Sequence, residues 1–145
     1  MINKNSKFTL SIIIPCFNEI RTIEEIIFKV KNSPIENKEI IIIDNCSTDG
    51  TREFLKNIND DELIIIFNKQ NIGKGGSLSK GIALATGQIT LIQDADLEYD
   101  PAEYKKLIAP ILSGNADVVY GSRFVGEAPH RVLYFWHRVG NGFLT

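Results

Sequence analysis

An α/β fold is predicted, a three-layer sandwich with helices on both faces of a mostly parallel sheet, and three observations predict it. Short β-branched apolar runs recur along the chain. Each run ends in a polar, turn-forming stretch, and the segments between runs carry apolar residues at helical spacing.

Residues 10–14 form the first apolar run, stopped by Pro15, and residues 40–43 the second, stopped by Asp44. Unbroken Ile-rich runs of this kind suit strands buried on both faces. Between them Ile23, Ile26, Ile27 and Val30 recur at helical spacing and give out before Ser33 and Pro34, which makes a crossover helix and one βαβ unit. Ser47 or Thr48 is positioned to cap a second helix, with Asp49 near its positive end and Phe54, Leu55 and Ile58 on its apolar side. Residues 63–67 supply a third strand. After Asn71, Ile72 and Gly73 comes a third crossover helix, with Leu78, Ile82 and Ala85 on one face and Gly87 as its C-cap, followed by strand 89–92. Pro101 suits the start of a further helix whose Tyr104, Leu107 and Ile108 face inward before Pro110, and residues 116–120 read as a fifth strand. Strands alternating with helices imply right-handed crossovers, and ligands of such sheets gather at the C-terminal strand edge where strand order reverses.

With 145 residues, 43% apolar and 23% charged, the chain is sized and composed for one soluble domain with a real core. Its 16 Lys and Arg against 18 Asp and Glu leave a formal charge of -2, which gives no general attraction to nucleic acid, so any anion must be held locally. Cys16 and Cys46 fall at strand ends outside any zinc spacing and read as half-buried thiols of a reducing compartment; a disulfide is the rarer alternative and needs a short Cα separation. Residues 1–7 are polar and lack the apolar core of a signal peptide, and no stretch approaches the ~20 apolar residues that cross a bilayer. The expected location is the cytoplasm or the cytoplasmic face of a membrane, because segment 130–139 mixes aromatic and basic residues in a way that suits a membrane interface or a partner.

The polar stretches hold the chemistry. Pro15, Cys16, Phe17, Asn18 and Glu19 follow the first strand, and the loop from Asp44 to Gly50 follows the second, so both are expected on one sheet edge and in one pocket. Asp44 and Asp49 offer acceptor oxygens for base N–H groups and ribose hydroxyls, while Asn18 and Asn45 donate and accept at once. Capping and turn formation are the competing reading for Ser47, Thr48 and Gly50, and Glu19 also suits a helix N-terminus by its charge. The stretch through Gly73, Lys74, Gly75 and Gly76 lacks Walker spacing. Glycines at a helix N-terminus still admit a diphosphate closely, with Lys74 adding charge, and close helix packing is the alternative.

Alternate positions of an extended segment point the same way, so Asp94, Asp96 and Glu98 are expected to address one ligand. Carboxylates clustered with no nearby lysine suit a hard dication that keeps positions for phosphate oxygens. After the fifth run, Arg123 suits paired hydrogen bonds to phosphate and Ser122 adds a hydroxyl; a surface salt bridge is the plainer reading of Arg123. His130 with His137, and Arg131 with Arg138, share a helical face and form a candidate anion-binding strip beside Tyr134, Phe135 and Trp136.

These stretches together resemble, over essentially the whole chain, the family 2 glycosyltransferases of GT-A fold, in particular the dolichyl- and polyprenyl-phosphate sugar transferases. Residues 11–19 look like the family's opening, 44–51 its nucleotide loop, 71–75 its diphosphate-side helix entry, 94–97 its metal motif and 118–123 the segment before its acceptor region. The resemblance implies a Rossmann-like domain over residues 1–145 that binds a nucleotide sugar. Pro15, Phe17, Asn18, Glu19, Asp44 and Asp49 would surround base and ribose, Gly73, Lys74, Asp94, Ala95 and Asp96 would meet the sugar diphosphate, and Asp94, Asp96 and Glu98 would hold Mg2+ or Mn2+. Ser122, Arg123, Arg131 and Arg138 would face an acceptor phosphate, with Asp94, Asp96 and Arg123 nearest the reaction. Asp44-Asn45-Cys46 stands where the family often has Asp-Asp-Gly, a nuance in base contacts. The family pattern continues past Thr145, so the chain is expected to stop after the fifth strand and its following helix.

The implied reaction is transfer of a hexose, with inversion, from a UDP- or GDP-sugar to a polyprenyl phosphate. A phosphate monoester with a second pKa near ~6 is anionic at neutral pH and needs no strong protein base. A saccharide acceptor would instead need a carboxylate to remove a hydroxyl proton. Alternatives are therefore a transferase acting on a saccharide and a non-catalytic nucleotide-sugar binding module.

Overall fold

The computed structural model describes residues 8–121. Strands β1 (Leu10–Cys16), β2 (Lys38–Asp44), β3 (Leu63–Phe67) and β4 (Ile89–Ile92) form a parallel four-stranded sheet in the order β3-β2-β1-β4. Helices α1 (Ile23–Lys31), α2 (Thr51–Lys56), α3 (Gly73–Leu84) and α4 (Tyr104–Leu112) connect or follow them, α4 being entered through a 3-10 turn at Pro101–Glu103. The alternation of the strands sorts the core into two layers. Ile12, Ile14, Ile40 and Ile42 face Ile23, Ile26, Leu55, Tyr104 and Ile108, whereas Ile13, Ile41 and Ile43 face Leu78 and Ala85. Helices α1, α2 and α4 thus cover one face and α3 the other, the expected three-layer sandwich. Among the described residues no helix is long and apolar enough to cross a membrane.

β1 runs past the expected stop at Pro15. The Cys16 carbonyl accepts from Asn45 N on the β2 side, while the Ile13 carbonyl accepts from Gln93 N on the β4 side. By alternation the nitrogen of Pro15 points to the β4 side, but β4 ends at Ile92 opposite Ile13, so its missing N–H removes no ladder bond. The proline inside α4, Pro110, is likewise tolerated near the helix end, where its own carbonyl accepts from Asn115 N and Ala116 N and closes the turn.

Residues 116–120 form no strand, contrary to expectation. Val118 and Tyr120 are 65% and 89% exposed, and their β propensity finds no ladder partner in the described chain. The α2 cap also differs. Gly50, at φ 105, is the N-cap, because the loop turns through a left-handed residue that only glycine adopts without strain, and Ser47 is committed elsewhere.

On α3 Ser77 and Gly81 are buried against the sheet and Leu78 and Ala85 pack on it as expected, whereas Ile82 is 54% exposed. A Cβ on Gly81 would stand 2.4 Å from Ile13 Cγ2, so small residues let the helix lie directly across β1. Ala85, not Gly87, ends the helix; Gly87 N donates to Ser11 Oγ in the turn into β4. Both cysteines are free thiols, Cys16 buried and Cys46 half-buried.

Candidate functional site

Parallel strands in register bring the loops after β1, β2 and β4 to one edge of the sheet. Cys16 pairs with Asp44 and Ile13 with Ile92, and strand order reverses between β1 and β4, where a cleft of about 300 Å³ opens. Pro15, Cys16, Phe17 and Glu19 wall it from the first loop, Asn45 from the second, and Asp94, Ala95 and Asp96 from the loop after β4. Asn71, Gly73, Lys74 and Ser77, at the entry of α3, complete it. A larger groove of about 680 Å³ lies at the opposite sheet edge near Ser33, Lys38 and Lys105. Its central cation is already engaged, since Lys38 Nζ donates to the carbonyls of Lys31 and Ser33 and to Ser33 Oγ.

The first two loops are stitched together. Asn18, at φ 58, donates through its backbone N to Ser47 Oγ (2.9 Å) and accepts from Thr48 N at its Oδ1 (2.8 Å). Glu19 N donates to Thr51 Oγ1, and Ile20 N to Asp49 Oδ2. Burial alone would raise the Asp49 carboxyl, but hydrogen bonds from Thr51 and from the backbone of Ile20 and Thr51 outweigh it and hold this group below the ordinary carboxylate range. Asn18 and Asp49 therefore fix the loop framework and are absent from the cleft wall.

Asp44 also lies behind the wall, fully buried. Its Oδ1 accepts from Ser47 N, and its Oδ2 is 3.2 Å from Arg52 Nη1 in an ion pair without hydrogen-bond alignment, leaving that oxygen with unused acceptor capacity. Arg52 is held over the Phe67 ring and donates to the Asn68 carbonyl. Burial, followed by the carboxylates of Asp44, Glu19 and Asp49, pushes the nearby Cys16 thiol up to about 12.

An amide network secures the entry of α3. Asn45 Oδ1 accepts from Asn68 Nδ2 and Ile72 N, Asn45 Nδ2 donates to Asn71 Oδ1, and Asn71 Oδ1 also accepts from Gly73 N. Buried Asn68 donates to Ser77 Oγ and accepts from Lys80 Nζ. Past this network the glycines divide their roles. A Cβ at Gly73 (φ 74) or Gly75 would meet nothing within 4 Å, whereas one at Gly76 would stand 2.9 Å from Ile72 Cγ1. Gly76 thus serves packing, and Gly73 and Gly75 leave open space at the first turn of α3, where the Ile72 and Gly73 N–H groups are taken by Asn45 and Asn71 and the positive dipole end and the N–H groups that follow favour an anion.

Opposite stands the acidic loop. Buried Gln93 braces it, donating from Nε2 to the carbonyls of Asp94 and Tyr99 and accepting from the Tyr104 hydroxyl at 2.7 Å. The loop is a turn, not the expected extended segment: Leu97 has φ 64, and Asp96 Oδ1 accepts from Glu98 N. The alternation argument for Glu98 therefore fails, and among the described residues no group of three or more His, Cys, Asp and Glu is gathered for a metal. Asp94 and Asp96 still fit a hard dication in the chemistry of their oxygens, with phosphate oxygens needed to complete its shell. A lysine is also at hand, against expectation. Lys74 Nζ pairs with Asp94 Oδ1 at 2.6 Å.

The stretches that hold Cys16 and Asn71 were expected at the site, whereas sequence reasoning missed Ser77 as a wall residue and Asn68, Gln93 and the Tyr104 hydroxyl as supports. For Asn68 and Gln93 the available signal was their place directly after an apolar strand. Ser122, Arg123, Arg131 and Arg138, with the histidine and aromatic strip, lie outside the described residues.

Residues 11–138 match the family model of glycosyl transferase family 2. The chain belongs to that family. Its parallel sheet is the Rossmann-like, GT-A type of arrangement that the resemblance implied. Among curated relatives, the dolichol-phosphate mannosyltransferase of Pyrococcus furiosus is 31% identical over 118 residues, covering 80% of this chain and 33% of that protein. The UDP-N-acetylglucosamine-dolichyl-phosphate N-acetylglucosaminyltransferase of Methanococcus voltae is 29% identical over 147 residues, covering 90% of this chain and 58% of that protein. A mannosyltransferase from Pyrobaculum calidifontis, solved with GDP-Man and Mn2+, superimposes with a TM-score of 0.56 at 28% identity, over 63% of this chain and 28% of that one. The chain spans only 33% and 58% of the length of these two curated relatives.

Proposed function

We propose that residues 1–145 are the nucleotide-sugar-binding part of an inverting glycosyltransferase that moves a hexose from a UDP- or GDP-sugar to a polyprenyl phosphate. The observation that carries the reading is the cleft at the β1/β4 reversal, where the open N-terminus of α3 faces Asp94 and Asp96. Pro15, Phe17 and Glu19 offer an apolar and acidic wall to base and ribose, on a framework held by Asn18, Asp44 and Asp49. Gly73 leaves room for the diphosphate, and Lys74 receives it through a positive charge at the positive end of the α3 dipole. Mg2+ or Mn2+, held by Asp94 and Asp96, would supply charge balance to the leaving diphosphate. Ala95 between them is buried in the core cluster and anchors the loop there.

The acceptor side rests on Ser122, Arg123, Arg131 and Arg138 as phosphate-binding residues. The names of two relatives, both specifying dolichol or dolichyl phosphate, support that assignment, and a lipid-linked acceptor agrees with action at the cytosolic membrane face. An anionic acceptor attacks without a protein base, which agrees with a cleft whose carboxylates are committed to binding and bracing.

The test is transfer of labelled hexose from GDP-mannose and UDP-N-acetylglucosamine to a short-chain polyprenyl phosphate, in the intact gene product with Mn2+. Lipid-linked product that is lost in Asp96→Asn supports the reading. Transfer to a free saccharide but not to the lipid overturns the acceptor assignment, and donor binding without turnover on any acceptor overturns the enzymatic one.

A further inference from the structure

We propose that Lys74 is an internal counter-ion at Asp94 that makes metal and nucleotide load together, an inference that rests on the donor-site reading above. The two residues come from opposite walls of the cleft, Lys74 from the first turn of α3 and Asp94 from the loop after β4. Their contact, Nζ to Oδ1 at 2.6 Å, occupies one oxygen of the pair of carboxylates that suits a cation. The lysine side chain is 59% exposed and Asp94 24% exposed, so the pair is half-solvated and exchangeable. Gly73 and Gly75 on either side of Lys74 leave space free within 4 Å of their Cβ positions, which gives the lysine stem somewhere to move.

A dication arriving alone meets an Asp94 already neutralised and a like charge beside it. Binding then requires Lys74 to give up its partner for water. A dication arriving with a nucleoside diphosphate meets different terms. Lys74 exchanges the carboxylate for a phosphate oxygen at the same helix N-terminus, where backbone N–H groups and the helix dipole also favour that anion. The lysine therefore penalises the cation alone and favours the cation with nucleotide. Such coupling is reciprocal, so the cation must strengthen nucleotide binding by the same factor.

Free Mn2+ counted by electron paramagnetic resonance, in titrations of the full chain without nucleotide, with GDP and with UDP, reads this coupling directly. The proteins compared are the parent chain, Lys74→Met, Lys74→Arg and Asp94→Asn. Lys74→Met is expected to bind Mn2+ alone about fivefold tighter than the parent, the scale of a half-exposed ion pair and its charge repulsion. The gain in Mn2+ affinity on adding nucleotide should shrink by at least that factor. Lys74→Arg, which keeps the charge, should behave as the parent does, and Asp94→Asn should weaken Mn2+ binding. Equal Mn2+ affinity and equal coupling in the parent and Lys74→Met overturn the inference while leaving the metal assignment intact. Mn2+ binding that ignores Asp94→Asn, or no binding with either nucleotide, overturns the metal assignment and the inference with it.

Discussion

Replacing Tyr104 with Phe isolates a single hydroxyl that supports the acidic loop. Tyr104 and Gln93 are each 1% exposed, and the hydroxyl donates to Gln93 Oε1 at 2.7 Å. The ring stays in place, so no cavity forms, and the change leaves a buried amide oxygen without its donor. An unsatisfied buried acceptor costs about 1–3 kcal/mol. With a urea m-value of about 1.5 kcal/mol/M, a mid-range loss lowers the unfolding midpoint by roughly 1 M. Urea denaturation followed by circular dichroism measures it, with Tyr120→Phe, at a residue 89% exposed, as the control that should not move. The loop should loosen as well, because the same Gln93 side chain donates to the carbonyls of Asp94 and Tyr99. A Tyr104→Phe midpoint indistinguishable from that of the parent chain would refute the view that this pair braces the loop.

Gly81→Ala, placing a Cβ 2.4 Å from Ile13 Cγ2, should destabilise by about 1–3 kcal/mol, while Gly75→Ala, with nothing within 4 Å, should stabilise the helix by about 0.5–1 kcal/mol; thermal unfolding separates the two. Arg52→Ala leaves the fully buried Asp44 carboxylate without its counter-ion and should cost about 3 kcal/mol in the same assay. The Cys16 thiol, raised from 9.0 to about 12, stays protonated in the folded chain over a range where the unfolded chain loses its proton. Its contribution to stability should thus be complete below pH 9 and decline as pH rises towards 12, and a thiol reagent at pH 8 should label Cys46 well before Cys16.

The strands and their polar ends were legible because buried parallel strands require β-branched runs such as 40–43, and because a residue like Asp44 can end a run only where a loop begins. Local pattern failed where packing geometry decided. The inward face of α3 holds Ser77 and Gly81 beside Leu78 and Ala85, and an apolar count passes over those two small residues while it admits the exposed Ile82. Residues 116–120 carry strand propensity, yet a strand exists only with a ladder neighbour, which no local reading can supply. At the site, the acidic motif was visible, but its counter-ion was not: Lys74 and Asp94 are far apart in sequence and meet only because α3 begins beside the end of β4. The alternation rule misjudged Glu98 because it presumed an extended backbone where Leu97 turns left-handed. The amide network of Asn45, Asn68 and Asn71 escapes a local reading because helix α2, strand β3 and a turn separate its members.

The proposed site of a nucleoside diphosphate is the β1/β4 reversal, between the α3 N-terminus and the acidic loop. Backbone amide shifts of the isotopically labelled chain, recorded while GDP and then UDP are added with Mg2+, test it most directly. One or both nucleotides are expected to move the amides of Gly73, Lys74, Gly75 and Asp96 most and to leave those of Ser33, Lys38 and Lys105 unmoved. Largest shifts at the Ser33, Lys38 and Lys105 groove, or no saturable shift with either nucleotide, would contradict it.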